Sequence, residues 1–211
     1  MKADAVLLDV DGTIWDTTPL VAEAWSKALA AEGYERRVTA EELKGLFGKP
    51  MNVIADEMLP ELTAEERYRL MDVCTEYEEK ALEENERDIS YPGVVATIKK
   101  LSEKIPVCIV SNCQSGYIEL AMDKLGITEY IADTECYGDT GKYKAENIRL
   151  VMERNGFRKP VYVGDILGDE EAAHAAGIAF IHAAYGFGSA KEPEAVIGSF
   201  PELLETVSLL P

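Results

Sequence analysis

The chain is poor in positive charge. Its 211 residues carry 21 Lys plus Arg against 39 Asp plus Glu, a net charge of −18. Nucleic acid and anionic membrane surfaces are recognised by clustered Lys and Arg, so neither is an expected partner. Histidine is also scarce, with two residues, and the four cysteines, Cys74, Cys108, Cys113 and Cys136, form no CxxC pair. That excludes a zinc site as the working expectation and leaves free thiols in a reducing compartment. No apolar run approaches the ~20 residues of a membrane span. The opening MKADAVLLDVDG has one Lys and an apolar run cut short by Asp9, unlike a signal peptide. There is no internal repeat and no low-complexity tract. A soluble, cytoplasmic protein, monomeric or weakly dimeric, is expected. What the chain does have is a composition of 47% hydrophobic and 28% charged residues, that of a globular fold. Its length suffices to bury roughly 70% of the unfolded surface.

Short apolar runs recur at Ala5–Leu8, Val107–Val110, Val161–Val163 and Ile178–Ile181, with a weaker one at Tyr130–Ala132. None alternates polar with apolar, the pattern of strands covered on both faces of a parallel sheet. Helical stretches follow: Gln114–Leu125 stopped by Gly126, Lys144–Asn155 by Gly156, and Asp169–Ala176 by Gly177. Strand and helix in alternation predict a doubly wound α/β sheet. Residues 15–90 break the alternation and read as helices alone. Thr39 and Thr63, each with Glu three residues on, start two of them as capping boxes. Pro50 suits the first turn of another. Thr63–Glu86 reads as one long helix, with Leu70, Val73, Tyr77 and Leu82 at helical spacing. Residues 61–90 hold 11 acids and 4 bases, read as a solvated helix face. The expected division is a core of residues 1–14 and 91–211 with a helical cap of 15–90 inserted after the first strand.

Four short motifs stand at strand ends, where ligands of such sheets bind. Asp9-Val10-Asp11-Gly12-Thr13 follows the first strand and places two acids beside a turn with free backbone N–H groups. Ser111-Asn112 follows the second apolar run and could hold a phosphate, or simply cap a helix. Lys142 and Lys144 lead into a helix. Gly164-Asp165 ends a strand, with Asp169 four residues on. Each taken singly has an ordinary structural use. Together, four carboxylates would converge on one crevice. Two like charges ~4 Å apart repel by about 4 kcal/mol at an effective dielectric of 20. Such a cluster calls for a cation, and all-oxygen ligands point to Mg²⁺.

In that order and spacing, DVDGT, SN, a Lys before a helix and GDxxxD resemble the four motifs of the haloacid dehalogenase superfamily. The helical insert resembles its C1-capped branch, which contains phosphoglycolate phosphatases and β-phosphoglucomutases. The resemblance spans nearly the whole chain and implies a Rossmann-like core. It implies Asp9 as the nucleophile that becomes an aspartyl phosphate, and Asp11 as general acid and then base. Mg²⁺ would be held by Asp9, Asp11 through its carbonyl, and Asp165, with Asp169 nearby. Gly12, Thr13, Ser111 and Asn112 would contact the phosphoryl group. Lys144, preferred to Lys142, would neutralise charge. One departure is Ile166, where relatives often have Thr or Ser; it bears on the metal's surroundings.

The implied function is Mg²⁺-dependent hydrolysis of a small phosphorylated metabolite. A phosphomutase is the near alternative, against which Thr13 tilts the reading. A non-catalytic phosphate-binding scaffold is a further one. In the cap, Lys49 is the expected specificity group, Trp15 sits at the hinge, and Arg36 and Arg37 are read as surface charge. Trp25, Tyr68 and Tyr77 are expected in the core, and His174 and His182 in no catalytic part. Tyr185-Gly186-Phe187-Gly188 resembles a loop of phosphoglycolate-type phosphatases, and is equally a Gly-rich turn.

Overall fold

The computed structural model describes residues 3–209, so the outermost ends of the expected core segments, 1–2 and 210–211, lie outside the described residues. After β1 (Val6–Leu8) come four helices, α1 (Thr18–Ala31), α2 (Ala40–Lys44), α3 (Met51–Met58) and α4 (Ala64–Glu84). The chain continues through α5 (Val94–Ser102), β2 (Val107–Ser111), α6 (Tyr117–Leu125), β3 (Asp133–Cys136), α7 (Tyr137–Thr140) and α8 (Lys144–Asn155). It ends with β4 (Val161–Gly164), α9 (Leu167–Ala176), β5 (Ala179–Ala183), β6 (Ala195–Ile197) and α10 (Leu203–Leu209). The six strands form one parallel sheet in the order β3-β2-β1-β4-β5-β6. This is the expected doubly wound α/β fold, reversing its strand order at β1 and β4. No helix among the described residues is long and apolar enough to cross a membrane.

Successive strand residues point to opposite faces and build two cores. Val6, Leu8, Ile109, Val163 and Ile181 pack with α5, α6 and α10. Leu7, Cys108, Val110, Tyr162 and Phe180 pack with α8 and α9 on the other face. Helices α1 to α4 close a third apolar cluster of their own, centred on Trp25, Leu43, Ile54 and Leu70. Two chain crossings join it to the sheet. Asp16 N–H donates to the Ile89 carbonyl (2.9 Å), and Tyr91 N–H to that of Ile14 (3.1 Å).

Several expectations need correction. The strand expected at Tyr130–Ala132 lies three residues later, at Asp133–Cys136, behind a 3₁₀ turn at Thr128–Tyr130. It is a sheet edge, so it can be polar; Arg154 binds both Asp133 (2.6 Å) and Glu135 (2.7 Å). Helix α6 starts at Tyr117 rather than Gln114, because Gly116 adopts φ 86°, a left-handed conformation outside a right-handed helix. Helix α9 starts at Leu167, two residues ahead of the expected Asp169. Thr63 makes a complete capping box with Glu66, but the Glu42 side chain goes to Arg36, so the Thr39 box is half made. Trp25 is fully buried, whereas Tyr68 and Tyr77 are exposed on the outer side of α4. The acidic stretch is not wholly a solvated face either: Glu78 is buried.

Candidate active site

The carboxyl ends of β1 and β4 bring three acids together. Asp9 directly follows β1, Asp165 follows β4, and Asp169 sits in the first turn of α9. All three are buried, and each offers a carboxylate oxygen within 4.8 Å of the others. Lys144 opens α8, after β3 and α7, and reaches the same point. Its Nζ donates to Asp9 Oδ1 (2.8 Å) and Asp169 Oδ1 (2.5 Å), with the side chain 3% exposed. Lys142 stays exposed at the surface. The other oxygen of Asp169 accepts the N–H groups of Asp165 (3.0 Å) and Ile166 (3.2 Å), bracing the turn between them. Asp165 accepts from Thr13 Oγ1 (3.4 Å) and from the N–H of Phe187 (2.6 Å). No hydrogen bond to Asp9 Oδ2 is found among the described residues, while Oδ1 is held by Lys144.

One lysine does not balance three buried acids. Burial pushes Asp9 up to about 6; Lys144 opposes that and Asp169 adds to it. Asp165 is pushed to about 8, first by burial and then by the charges of Asp169 and Asp9. Burial draws Lys144 down, but Asp169 and Asp9 outweigh it and hold the ammonium well above its ordinary value. Buried carboxylates that repel one another and present only oxygen ligands suit a hard divalent cation.

Asp11 turns away from this cluster. Its Oδ1 accepts three donors: Trp15 Nε1 (3.1 Å), Thr17 Oγ1 (2.8 Å) and the Tyr117 hydroxyl (2.8 Å). Burial nonetheless dominates and pushes its acid up to about 7. The carboxyl can therefore hold a proton near neutral pH and give it up again.

Glycine makes the close packing possible. Gly12 has φ 80°, and a Cβ there would lie 2.2 Å from Asp165 Oδ2. A Cβ on Gly186 would lie 2.4 Å from the Gly12 carbonyl oxygen. The Tyr185–Gly188 loop thus wraps the site, with the Tyr185 hydroxyl on the Thr13 carbonyl (2.9 Å). His182 donates its Nε2–H to the Asp165 carbonyl (3.1 Å), since a carbonyl can only accept.

A cleft runs from Asp11, Ser111 and Asn112 to the four-helix segment, where Trp25, Phe47 and Lys49 line it. The ammonium of Lys49 is tied to Glu57 (2.6 Å). Ile166, the departure from the motif, packs on the loop before α3: a Cβ on Gly48 would lie 2.4 Å from its Cδ1. The sequence reading missed three residues around this cleft: Thr17, Tyr117 and Glu78. Glu78 had a signal, since it falls on the buried stripe Leu70, Cys74, Glu78, Leu82 of α4.

The sequence profile of haloacid dehalogenase-like hydrolases matches residues 6–183. A phosphoglycolate phosphatase of Photobacterium profundum is 28% identical, over 97% of this chain and 95% of its own. That of Photorhabdus laumondii is 26% identical, over 97% and 92%. A predicted phosphoglycolate phosphatase from Haemophilus somnus superposes with a TM-score of 0.86 at 20% identity, covering 98% of each chain. A variant of CbbY from Rhodobacter sphaeroides, solved with xylulose-1,5-bisphosphate, has a TM-score of 0.81 at 22% identity, covering 98% of this chain and all of its own.

Proposed function

The chain belongs to the haloacid dehalogenase-like hydrolases, and on that premise we propose that it is a divalent-metal-dependent phosphatase of small phosphomonoesters. The curated relatives, phosphoglycolate phosphatases over nearly their full length, support that class. The observation that carries the reading is the division of labour between Asp9 and Asp11. Asp9 is gripped on one oxygen by Lys144, which leaves Oδ2 as the nucleophile. Asp11, two residues away, is a partly buried acid poised near 7. Asp9 attacks phosphorus, the bond from phosphorus to the leaving oxygen breaks, and Asp11 gives that oxygen its proton. An aspartyl phosphate and a free alcohol result. Asp11, now a carboxylate, takes a proton from water as that water attacks phosphorus, freeing phosphate and restoring Asp9.

Mg²⁺, held by Asp9, Asp165 and the Asp11 carbonyl with Asp169 behind them, would supply charge neutralisation for the phosphoryl oxygens. Lys144 keeps Asp9 ionised and Asp169 in place. Thr13, Ser111 and the backbone amides around Gly12 and Asn112 bind the phosphoryl oxygens. Residues 15–90 act as a cap that closes over the site and excludes water, with Lys49 at its edge. Phosphate release from a panel of small phosphomonoesters, with Mg²⁺ and with a chelator, tests this. Turnover that needs the metal is expected; none in either condition would overturn it. Scoring sugar-phosphate isomerisation in the same reactions separates a phosphomutase.

A further inference from the structure

Glu78 lines the same cleft as Asp11 and has no task in the chemistry above. It lies on α4 within an apolar stripe and is 3% exposed. Its Oε2 accepts from Trp25 Nε1 (2.8 Å) and its Oε1 from Gln114 Nε2 (3.2 Å). Among the described residues no cation pairs with it, and Lys49 on the cleft wall is committed to Glu57. An unpaired carboxyl on a buried helix stripe costs stability that a leucine would not. A purely structural role therefore serves the fold poorly.

A second acceptor lines the same cleft. Asn112 Nδ2 donates to the Gly48 carbonyl (2.8 Å), which fixes the amide's orientation, and its Oδ1 is buried without a partner. The space left in the cleft is about 30 Å³, the room of one water, so a substrate enters only if the cap lifts. Lifting breaks two contacts that join cap to core, Glu78–Gln114 and Asn112–Gly48. A substrate's leaving group then meets acceptors at Glu78 and Asn112. A hydroxyl can donate to them. A carboxylate brings only further acceptors, into a wall with no free cation among the described residues.

We propose that Glu78 is a specificity-determining residue that selects a phosphomonoester with a neutral, hydroxyl-bearing leaving group, a polyol or sugar monophosphate, over one bearing a carboxylate. The proposal rests on the phosphatase reading above. Burial, with the charge of Asp11 behind it, pushes the Glu78 carboxyl up to about 8. At neutral pH it then keeps its proton and holds no charge, so it offers a carboxylate no ion pair and an ammonium group no counter-charge.

The test measures kcat/KM of the full chain with Mg²⁺ on glycerol phosphate, phosphoglycolate, phosphoethanolamine and p-nitrophenyl phosphate. Glycerol phosphate is expected to exceed phosphoglycolate and phosphoethanolamine by tenfold or more. Glu78→Gln, neutral and of equal size, should keep that preference within threefold. Glu78→Leu should lower kcat/KM for glycerol phosphate at least tenfold, through KM, with p-nitrophenyl phosphate changed less than threefold. Glu78→Lys should shift the ratio at least tenfold towards phosphoglycolate, which keeps the proposal open to refutation should Glu78→Leu not fold. A wild type that prefers phosphoglycolate or phosphoethanolamine overturns the proposal, as does an unchanged ratio in Glu78→Lys. Phosphate from none of the four, p-nitrophenyl phosphate included, overturns the phosphatase reading and this proposal with it.

Discussion

Asp9 and Asp11 lie two residues apart, and their different surroundings suit the two tasks proposed for them. Asp9 meets an ammonium and two other acids; Asp11 meets three neutral donors at the wall of the cleft. An acid with a charged partner stays available as a nucleophile, whereas one with neutral donors can keep its proton. This yields a prediction for Asp11→Asn. The Asn carbonyl can accept the same three donors from Trp15, Thr17 and Tyr117, so the thermal midpoint should stay within a few degrees of wild type. Turnover should fall by roughly 10²–10⁴, the usual worth of a positioned acid–base group. Phosphate release followed beside a thermal melt checks both halves. Near-normal turnover in a folded Asp11→Asn would remove Asp11 from the reaction.

The elements that position the site differ in how far their sequence announces them. The ends of β1 and β4 were legible because both faces of those strands are buried, so they read as unbroken apolar runs that stop at an acid. β3 was misplaced because an edge strand needs no such run; Asp133 and Glu135 are paid for by Arg154 from another element, which local sequence does not reveal. On α4 the acidic run hid Glu78, because net charge was averaged over a helix whose faces differ. Tyr77 misled in the opposite sense: it lies near the apolar spacing but turns outward. The contact between Ile166 and Gly48 joins residues 118 positions apart in the chain and had no local signal at all. That contact can be tested as a unit. Gly48 has φ 87°, so an added Cβ is strained by about 1–2 kcal/mol and would also strike Ile166 Cδ1. Gly48→Ala should raise KM about tenfold or more by keeping the loop off the core, with little loss of folding cooperativity. Gly48→Ala combined with Ile166→Ala should recover part of that loss in kcat/KM. A double variant no better than the single would mean the loop does not seat on Ile166.

Across the whole molecule, a net charge of −18 looks ill-suited to an anionic substrate. The charge is not uniform in effect. Most acids lie on solvated surfaces, where salt screens them within about 10 Å. Among those withdrawn from solvent, Asp9, Asp165 and Glu78 are buried and Asp11 is partly buried, with acids pushed to about 6, 8, 8 and 7. Desolvation is the leading cause each time, so each carboxyl holds its proton more tightly folded than unfolded, where it titrates near 4. Between pH ~4 and ~8 the folded state therefore binds more protons, and stability must fall as pH rises. The exposed acids whose protons are held less tightly, such as Glu66 and Asp88, act with the opposite sign, but only below about pH 5. Without divalent cations, the thermal midpoint should decline steadily from pH 5 to pH 8. On the proposed reading Mg²⁺ binds the ionised acids, so its stabilisation should grow with pH and be largest near pH 8. Glu78→Gln removes one of the four groups without touching the proposed metal ligands, and should flatten the metal-free decline while leaving the Mg²⁺ shift at pH 8 intact. Melts with and without Mg²⁺ at four pH values measure all three quantities. A metal-free midpoint that rises across this range would show that these acids are ionised in the folded protein, and the poised acid at Asp11 would go with it.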